Sequence, residues 1–580
     1  MAEPLIINNW QNGMARSPHE GFGLMQNVDI DSFPGAIMPV KLPQSYFNTF
    51  TAQTFTANAG TDECTAAASL SDNNYVGQAV YFTTTDTLPT GLSTATVYFL
   101  IYSSATVFKV AQNGTNQGYK NSVGSAAGTA IDITGTGTGT HTVNPVAVGT
   151  VNWIVEDQRT SYYWSIDSNG RVWFVPGSSR AYLLQNSAID NGTSVTNASG
   201  NGIALFATSD ASATYLFQFR NALIDVKNVY GNTQIEDAAW SNGWQTMNTA
   251  SGTGATHEAM IGQDNIIYYT DSRYIGSIRE NAGSVFDPAT GATFTFTQDA
   301  LDLPQNETAQ SIEEQGTFLL IGSSNSNLIY PWDRISDSYN LPIRVPEFNI
   351  RKMKNIGGIV YILPGTWGNI YTTQGTYIKF HAKIPTAAVN NAFAIQSNPI
   401  TWGGIAAANG TLLVGLSGQT TGSSGLWRIY TDGRLIQENI PPGGSAQVQA
   451  IYAEGDFYQM GYLGGWSNFL NSKLRNTDDC VVQTELFQVA TNVEKASYHR
   501  LEVVCARAPG SGAGITVAYR EDDISSFTTI GSAFSGDAST IIFTSESIGL
   551  IDIEQIQLQI TFDNAQGGNE TLIREVRLLP

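Results

Sequence analysis

Charged residues are scarce in this chain. They make up 13% of its 580 residues, about half the share that globular proteins usually carry. Because exposed helices depend on Lys, Glu and Arg for helix propensity and for paired charges, this shortage argues against a helical protein. Gly, Thr, Val, Ile, Tyr and Phe are plentiful instead, which favours strands and turns. The composition therefore predicts an all-β protein.

Cysteine and histidine are scarce as well. Cys64, Cys480 and Cys505 lie too far apart for a disulfide framework or a zinc knuckle. The histidines, none of which lies at metal-ligand spacing from another, are at positions 19, 141, 257, 381 and 499. His257-Glu258 begins like a zincin motif but lacks the second His, and neither a P-loop nor a Gly-x-Ser-x-Gly elbow occurs. The sequence thus predicts no catalytic, metal-binding or cofactor-binding residues and no cofactor.

Basic residues are fewer than acidic ones. The 28 Lys and Arg against 49 Asp and Glu give a net charge of −21, and nonspecific nucleic-acid binding requires Lys and Arg to neutralise phosphates. The negative charge has two interpretations. It could line a channel through which double-stranded DNA slides, or it could only keep the protein soluble. The opening residues MAEPLIINNW lack a basic start and an apolar core, and no run of eighteen apolar residues occurs. We therefore expect a soluble protein made in a cytoplasm.

The composition changes near residue 44 and again near residue 149. The stretch between is poor in charge, contains strand-like runs at 75–82, 96–102 and 107–111, and has a turn at Leu88-Pro89-Thr90-Gly91. It predicts a small inserted β domain at 44–149. The Gly-Thr alternation at 135–140 superficially resembles a phosphate loop. Because no strand-loop-helix context surrounds it, we interpret it as a hairpin or an edge strand.

A weak repeat runs from residue 150 to about 470, and in each copy a strand, a polar turn and a second strand follow one another. The copies begin near Trp164, Leu216, Ile266, Phe318, Tyr361, Leu412 and Tyr458, at successive offsets of 52, 50, 52, 43, 51 and 46 residues. A spacing near 50 built from hairpins is typical of a four-stranded propeller blade. Because one such sheet cannot bury both faces alone, radial stacking is expected. The repeat predicts a β-propeller of six or seven blades at 150–470, completed by residues 1–43.

Several side chains of this repeat have two interpretations. Trp173, Trp332, Trp367 and Trp427 lie in or just beyond the turns; we favour packing between blades over platforms that stack against sugars. The stretch 165–173 resembles the Asp-box turn of sialidase propellers, but it has one residue too many between Asp167 and Gly170 and no second copy. Asp boxes are turn devices remote from catalysis, so we predict that the protein is not an enzyme. A glycosidase that uses carboxylates such as Asp167 or Asp271 is the alternative.

The last part of the chain, 471–580, has a different pattern. Seven short strands at sandwich spacing are expected at 481–489, 500–506, 514–519, 527–530, 540–543, 556–562 and 571–579. Ile556, Leu558 and Ile560 alternate with Gln557 and Gln559, which is the pattern of a half-buried strand. We therefore expect a C-terminal β-sandwich or jelly roll.

Three segments, taken in order, resemble one protein family. They are the opening LMQNVDIDSFPG at 24–35, the insert with its LPTGL, TVYF and FKV runs and closing GTHT, and the ending IGLIDIE at 548–554 with REVRLL at 574–579. In this order they resemble the β-propeller proteins of bacteriophage tails, of the tail nozzle or DNA-stabilisation type. The propeller expected between them agrees with that resemblance.

The resemblance implies a structural protein of the virion, synthesised in the host cytoplasm. It implies a ring of six copies at the end of a short tail, which closes and then conducts the genome during DNA ejection. The implied partners are other copies, tail adaptor and portal-proximal proteins, tail fibres, and genomic DNA that passes through without sequence-specific binding. The inserted domain is not part of a minimal nozzle, and its role is left open. The alternative is a tail-tip or receptor-binding protein for host glycans; the chain has no collagen-like or coiled-coil stalk of the kind fibres carry.

Overall fold

A computed structural model describes most of the chain and shows strands almost throughout. The described residues are 3–14, 22–41, 43–47, 50–68, 75, 77–94, 96–112, 130–157, 162–167, 171–175, 181–183, 216–219, 222–225, 228–231, 241–246, 258–280, 294–364, 368–384, 404–416, 425–439, 448–455, 457–468, 480–490, 495–509, 513–522, 524–535, 542–563 and 571–580. Within them the helical residues are a single 3-10 turn, Trp10–Asn12, and Tyr75. The predicted all-β class is confirmed. No helix in these ranges is long and apolar enough to cross a membrane.

An N-terminal segment and a small barrel come first along the chain. The segment contributes β1 (Leu5–Ile7), β2 (Phe22–Gln26), β3 (Val28–Asp29), β4 (Met38–Pro39) and β5 (Gln44–Ser45). The barrel consists of β6 (Gln53–Asn58), β7 (Glu63–Ala66), β8 (Ala79–Thr84), β9 (Val97–Ser103), β10 (Val107–Gln112) and β11 (His141–Pro145), closed in the order β10-β7-β6-β11-β8-β9. Phe55, Phe82 and Phe108 fill its core. The Gly-Thr alternation forms isolated bridges to residues 87 and 90 and includes no helix.

Seven groups of strands follow, numbered here as blades one to seven. Blade one contains β12 (Val151–Asp157), β13 (Tyr162–Asp167), β14 (Val172–Val175) and β15 (Tyr182–Leu183), and blade two contains β16 (Leu216–Phe219), β17 (Ala222–Asp225), β18 (Asn228–Gly231) and β19 (Ser241–Thr246). Blade three contains β20 (Ala259–Ile261), β21 (Ile267–Asp271), β22 (Tyr274–Glu280) and β23 (Phe294–Asp302), and blade four contains β24 (Ala309–Gln315), β25 (Phe318–Ser323), β26 (Leu328–Trp332) and β27 (Ile343–Arg344). Blade five contains β28 (Ile350–Ile356), β29 (Ile359–Pro364), β30 (Asn369–Gln374) and β31 (Tyr377–Lys383), blade six contains β32 (Ile405–Ala408), β33 (Thr411–Leu416), β34 (Gly425–Ile429) and β35 (Leu435–Asn439), and blade seven contains β36 (Val448–Glu454), β37 (Phe457–Tyr462) and β38 (Gly465–Asn468).

The blades are arranged around an axis as a β-propeller. Blades one and three to five are each four-stranded antiparallel sheets in sequence order, and the strands of blade six follow the same order at one end of a larger sheet. The second blade is described as two hairpins, β16-β17 and β18-β19. First strands of successive blades contact one another from β20 through β24, β28, β32 and β36 to β12. First strands therefore surround the axis, which confirms the predicted propeller. In six of the seven copies, the repeat seen in the sequence corresponds to the second and third strands of a blade.

Three pairs of neighbouring blades meet closely at a glycine of the second strand. A Cβ placed on Gly415 of β33 would lie 2.6 Å from the carbonyl oxygen of Val448, where β36 begins. Gly322 faces Ile350 in the same way, and Gly461 faces Val151. Any side chain at these positions would push two blades apart, so the fold requires glycine there.

The N-terminal segment supplies the fourth strand of blade seven. β5 pairs with β38, with Ser45 opposite Ser467, and the Tyr46 N–H donates to the Trp466 carbonyl at 2.8 Å. The closing strand thus lies at residues 44–45, at the start of the range 44–149 that the sequence assigned to the inserted domain. The barrel itself begins at Gln53 and ends at Pro145, between the closing strand and blade one.

The C-terminal region folds as two facing sheets. Its strands are β39 (Cys480–Thr484), β40 (Phe487–Gln488), β41 (Ala496–Arg507), β42 (Gly514–Arg520), β43 (Thr528–Thr529), β44 (Phe534–Ser535), β45 (Ile542–Ile553), β46 (Gln555–Asp563) and β47 (Leu572–Leu579). One sheet has the order β1-β47-β41-β45, and the other contains β2-β39-β46-β42-β43. Leu501 and Val576 of the first sheet share a buried core with Val482, Ile515 and Ile560 of the second. The expected β-sandwich is confirmed.

The propeller and the sandwich are joined through β2. This strand pairs antiparallel with β39 and, at Gln26 opposite Gln437, parallel with β35, so blade six continues into a sandwich sheet. β1 meanwhile lies at the edge of the other sandwich sheet, beside β47. The N-terminal segment therefore belongs to both sheets of the sandwich and to two blades.

Candidate functional site

A polar pocket lies where residues 28–41 cross blade six. Its volume is about 740 Å³. Asp29, Asp31 and Lys41 contribute from the N-terminal segment, and Tyr458 contributes from blade seven. Other residues of the N-terminal segment also line it, and blade six contributes through its turn at 409–411 and through residues 428–438. Both turns of blade six that border the pocket lie on the same face of the propeller, because they follow the first and the third strand.

An ion pair forms one wall of the pocket. Arg428 of β34 and Glu438 of β35 make a two-pronged contact, with Nε to Oε2 at 2.6 Å and Nη2 to Oε1 at 2.8 Å, and Arg428 also donates to Thr411 Oγ1 at 2.8 Å. Burial lowers the pKa of Arg428, but the Glu438 carboxylate outweighs burial and holds that pKa above its ordinary value. Because two N–H groups of the planar guanidinium donate to the two oxygens of the carboxylate, this wall has a fixed geometry.

A second contact links the N-terminal segment to blade six across the pocket. The Tyr430 hydroxyl donates to Asp31 Oδ2 at 2.6 Å. Burial raises the pKa of Asp31, although the bond from Tyr430 and the charge of Arg428 oppose that rise. Asp29 stabilises the adjoining turn, since its Oδ1 accepts the N–H groups of Asp31 and Ser32 at 3.0 and 2.9 Å. The acidic groups here therefore position the segment as well as line the pocket.

Lys41, Arg434 and the ring of Tyr430 also line the pocket. The Arg434 guanidinium is 5.0 Å from the centre of the Tyr430 ring, and its Nε contacts Asp432 Oδ2 at 2.6 Å. Lys41 is exposed. The pocket thus combines fixed hydrogen-bonding donors and acceptors, which suit a polyhydroxylated ligand, with the ring of Tyr430, which is 8% exposed and lies beside Arg434.

A separate polar cluster lies near the propeller axis. Lys352 of β28 forms an ion pair with Glu258, which precedes β20, and Glu258 Oε2 accepts the Ile312 N–H of β24 at 3.0 Å. Burial raises the pKa of Glu258 to about 7, while Lys352 and the Ile312 N–H act in the opposite direction. These contacts join blades three, four and five. His257 lies outside the described residues.

The two carboxylates that the sequence offered for a glycosidase, Asp167 and Asp271, are both buried. Asp167 is buried; its Oδ2 accepts Gly149 N–H at 2.9 Å and Trp173 Nε1–H at 3.0 Å, and its Oδ1 accepts Arg171 N–H at 3.0 Å. Asp271 is buried at the end of β21. Asp167 therefore acts as a turn device, as an Asp box would.

The aromatic and sulfur-containing candidates are also in the core. Trp173, Trp332 and Trp427 are at most 3% exposed, so they pack within the protein and present no face to a sugar. Trp367 lies outside the described residues. Cys64, Cys480 and Cys505 are buried free thiols, and burial raises the pKa of Cys64 and of Cys505 to about 12. The two prominent polar clusters, the pocket and the axial cluster, were not found by sequence reasoning; the paired turns Asn409-Gly410 and Asp432-Gly433 were the available signal for the first.

Comparison with known proteins gives fold likeness only. No family model and no curated protein matches the chain. Among solved structures it is similar to YCF48 from Cyanidioschyzon merolae, at 10% identity over 56% of this chain and 95% of that chain with a TM-score of 0.35. It is similar to the Cps50 (Swd1) β-propeller domain of Myceliophteria thermophila, at 10% over 56% and 96% with a TM-score of 0.37. It is also similar to BamB from Moraxella catarrhalis, at 8% over 55% and 82% with a TM-score of 0.32. Likeness at this level extends to no function.

Proposed function

We propose that the chain is a structural component of a bacteriophage tail, a nozzle or hub that forms a ring, closes the DNA path and then conducts the genome. The observation that carries the proposal is the course of the N-terminal segment. It contributes β1 and β2 to the two sandwich sheets, pairs β2 with blade six and closes blade seven with β5. Modules joined only by a linker move independently, whereas modules that share sheets move together. A rigid unit of this kind suits a particle that holds DNA under pressure.

The inserted barrel agrees with such a role. It leaves the propeller directly after the closing strand and packs back on blades one and seven, since Ala79, Val97 and Phe99 share a buried cluster with Val151 and Trp466. The barrel is thus held at the junction between blades one and seven, where the ring of blades closes. In the proposed assembly it presents a surface to a neighbouring tail protein.

Labelling of particles tests the proposal. Antibodies raised against the purified full chain and carrying gold are applied to particles of the virus that encodes it, and electron microscopy records the position of the gold. We expect gold at the tail, and none when the antibodies are first absorbed with the purified chain. Particles that remain unlabelled while the protein is present in the infected-cell lysate would contradict a structural role.

A second candidate function is glycan binding, and the pocket on blade six is the observation that favours it. Saturation-transfer NMR with glucose, galactose and N-acetylglucosamine provides the test. Binding should depend on the aromatic ring and the guanidinium beside it, so Tyr430→Ala and Arg434→Ala should lose the signal. Arg577→Ala removes a surface arginine paired with Glu575 in the sandwich and is the matched control. An equal signal in all four proteins would show that the sugars bind outside the pocket, and no signal in the wild type would exclude these sugars as ligands.

A further inference from the structure

Positive and negative charge are separated along the chain. Residues 348–431 contain six Lys and Arg and no Asp or Glu, whereas residues 521–573 contain nine Asp and Glu and no Lys or Arg. The first range covers blade five and most of blade six, and the second covers the end of the sandwich. In a chain with a net charge of −21, this range inverts the overall charge along the sequence. In the fold, Lys352, Lys354 and Arg428 form ion pairs with acids outside the range, and Lys379 and Lys383 are exposed.

The outer edge of blade five is cationic and partly apolar. β31 is the last strand of its sheet, and it presents Tyr377, Lys379 and Lys383 to solvent. We call these three residues the cationic edge. Tyr377 is 76% exposed, which is unusual for so large a ring. In blade four, the loop between β26 and β27 carries Ile335 and Leu341, which are 89% and 85% exposed. This loop lies on the same face of the propeller as the turn that precedes Tyr377, because both follow the third strand of a blade.

Pairing of a further strand along the whole of β31 is not favoured. The register shifts between Ile370 and Tyr371, which leaves His381 as a bulge, and Gly433 of blade six lies against the His381 carbonyl. The cationic edge therefore offers a partner its side chains rather than a continuous row of unpaired backbone N–H and C=O groups.

The free edge of the sandwich has the opposite charge. β45 ends the order β1-β47-β41-β45, and it exposes Ile542, Glu546, Ile551 and Asp552, which we call the acidic edge. Ile551 is 61% exposed. The Glu546 side chain is 67% exposed, and its Oε1 lies 3.9 Å from Nη1 of Arg500 on β41. A bulge interrupts this strand too, between the partners of Tyr498 and Arg500. Like the cationic edge, it offers charged and apolar side chains together.

We infer that the cationic edge of one copy docks on the acidic edge of a second copy. The inference rests on the proposed function, since it supplies the contact from which a ring is built. The two edges lie on different modules, so the contact uses different surfaces on the two partners, and repeating it generates a ring when the rotation closes. Opposite charges select the partner and the register, and the exposed Tyr and Ile side chains supply apolar area.

Cross-linking between copies tests this contact directly. Purified full chain labelled with ¹⁵N is mixed with unlabelled chain, concentrated and treated with a zero-length carbodiimide, which joins amines to carboxylates in contact. We expect peptides that join Lys379 or Lys383 of one isotope to Glu546 or Asp552 of the other. Cross-links between copies that map to other surfaces, or a concentrated sample with none, would overturn the inference.

Charge reversal gives an independent measurement. Lys379→Glu/Lys383→Glu alone, and Glu546→Lys/Asp552→Lys alone, should each weaken self-association about tenfold or more, because like charges then face each other. An equimolar mixture should associate again, since each variant's altered edge then meets one of opposite charge. The control Lys109→Glu/Arg279→Glu makes the same change of net charge as Lys379→Glu/Lys383→Glu, but on the barrel and blade three, and should have no effect. Analytical ultracentrifugation measures all four; failure of the mixture to recover would contradict the contact.

Two outcomes separate this inference from the proposed function. Gold at the tail together with unaltered association of the charge variants would retain the tail protein and reject the contact. Unlabelled particles together with the expected cross-links would retain the contact and reject the tail protein. A third outcome is that a short DNA duplex binds the wild type and not Lys379→Glu/Lys383→Glu while copies stay separate; the partner of the cationic edge would then be nucleic acid and the inference would be wrong.

Discussion

Ser45 lies opposite Ser467, although all the blades but part of the last lie between them in the sequence. Their pairing makes β5 the outer strand of blade seven, so the first and last parts of the propeller are held in one sheet. Tyr46 continues the contact beyond Ser45: its ring lies edge-on to Trp466, with centroids 5.0 Å apart. Opening the ring of blades requires this small sheet to separate.

Tyr46→Ala should therefore weaken the closure. Tyr46 is 3% exposed in a cluster shared with blades one and seven, and truncating a buried aromatic side chain costs about 3 kcal/mol. We expect the free energy of unfolding in urea to fall by about that amount. Tyr81→Ala, which removes a ring that is 37% exposed on the barrel, is the control. Equal losses in the two variants would show that Tyr46 does not close the ring.

Gly415→Ala should disturb the junction between blades six and seven. The added Cβ would lie 2.6 Å from both the carbonyl oxygen and Cγ1 of Val448. Because the carbonyl belongs to the backbone of β36, a blade must shift, and overpacking of this kind costs about 1 to 3 kcal/mol. The change should appear as a lower urea midpoint. Gly60→Ala, whose new methyl group meets only Asn58 Oδ1 at 3.4 Å, should leave that midpoint unchanged; similar midpoints for both variants would contradict the tight junction.

The blades could be predicted because their central hairpins are local. Leu412 of β33, for instance, lies opposite Ile429 of β34, and an aliphatic run, a polar turn and a second run recur in most copies. The closure and the joining of the modules could not be predicted. β5 has only two residues, and β2 meets β35 at the single pair Gln26 and Gln437, so neither leaves a periodic pattern.

The pocket could not be predicted from the sequence either, because it is formed by segments that are far apart along the chain. Asp31 and Tyr430 meet only after the N-terminal segment has crossed blade six, and nothing near Asp31 in the sequence indicates a partner so far along the chain. The prediction for Asp167 depended on a local turn motif instead, and there the sequence was sufficient. Contacts within a turn can be inferred from spacing, whereas contacts between modules require the fold.

Asp167→Asn should lower stability without affecting any glycosidase activity. The two carboxylate oxygens accept three N–H groups, and an amide must turn one NH₂ towards a donor, which leaves a buried group unsatisfied at a cost of about 1 to 3 kcal/mol. We expect a lower urea midpoint, and no release of fluorophore from a sialoside substrate by either protein. Asp299→Asn, at an exposed position, is the control for stability. Turnover by the wild type that Asp167→Asn abolishes would establish the enzyme alternative.

The axial cluster makes stability depend on pH. Glu258 is 1% exposed and forms its ion pair with Lys352 inside the protein. Burial raises its pKa from 4.5 to about 7 in spite of that pair. Burial also raises the pKa of Asp31, Asp167 and Glu313. The contribution of Glu258 must therefore be isolated by comparing proteins that share the other three groups.

Between the two pKa values of Glu258, the folded chain holds a proton that the unfolded chain has released. The stability from this group is therefore fully present at low pH and falls as the pH rises through about 7, by up to about 1.4 kcal/mol per pH unit. Urea unfolding from about pH 5 to about pH 7 should show this decline in the wild type. Glu258→Gln/Lys352→Met removes both charges and should decline less, whereas Glu258→Gln alone leaves Lys352 buried without a carboxylate and should be the least stable of the three at neutral pH. Parallel pH profiles for the wild type and the double variant would show that Glu258 does not titrate in this range.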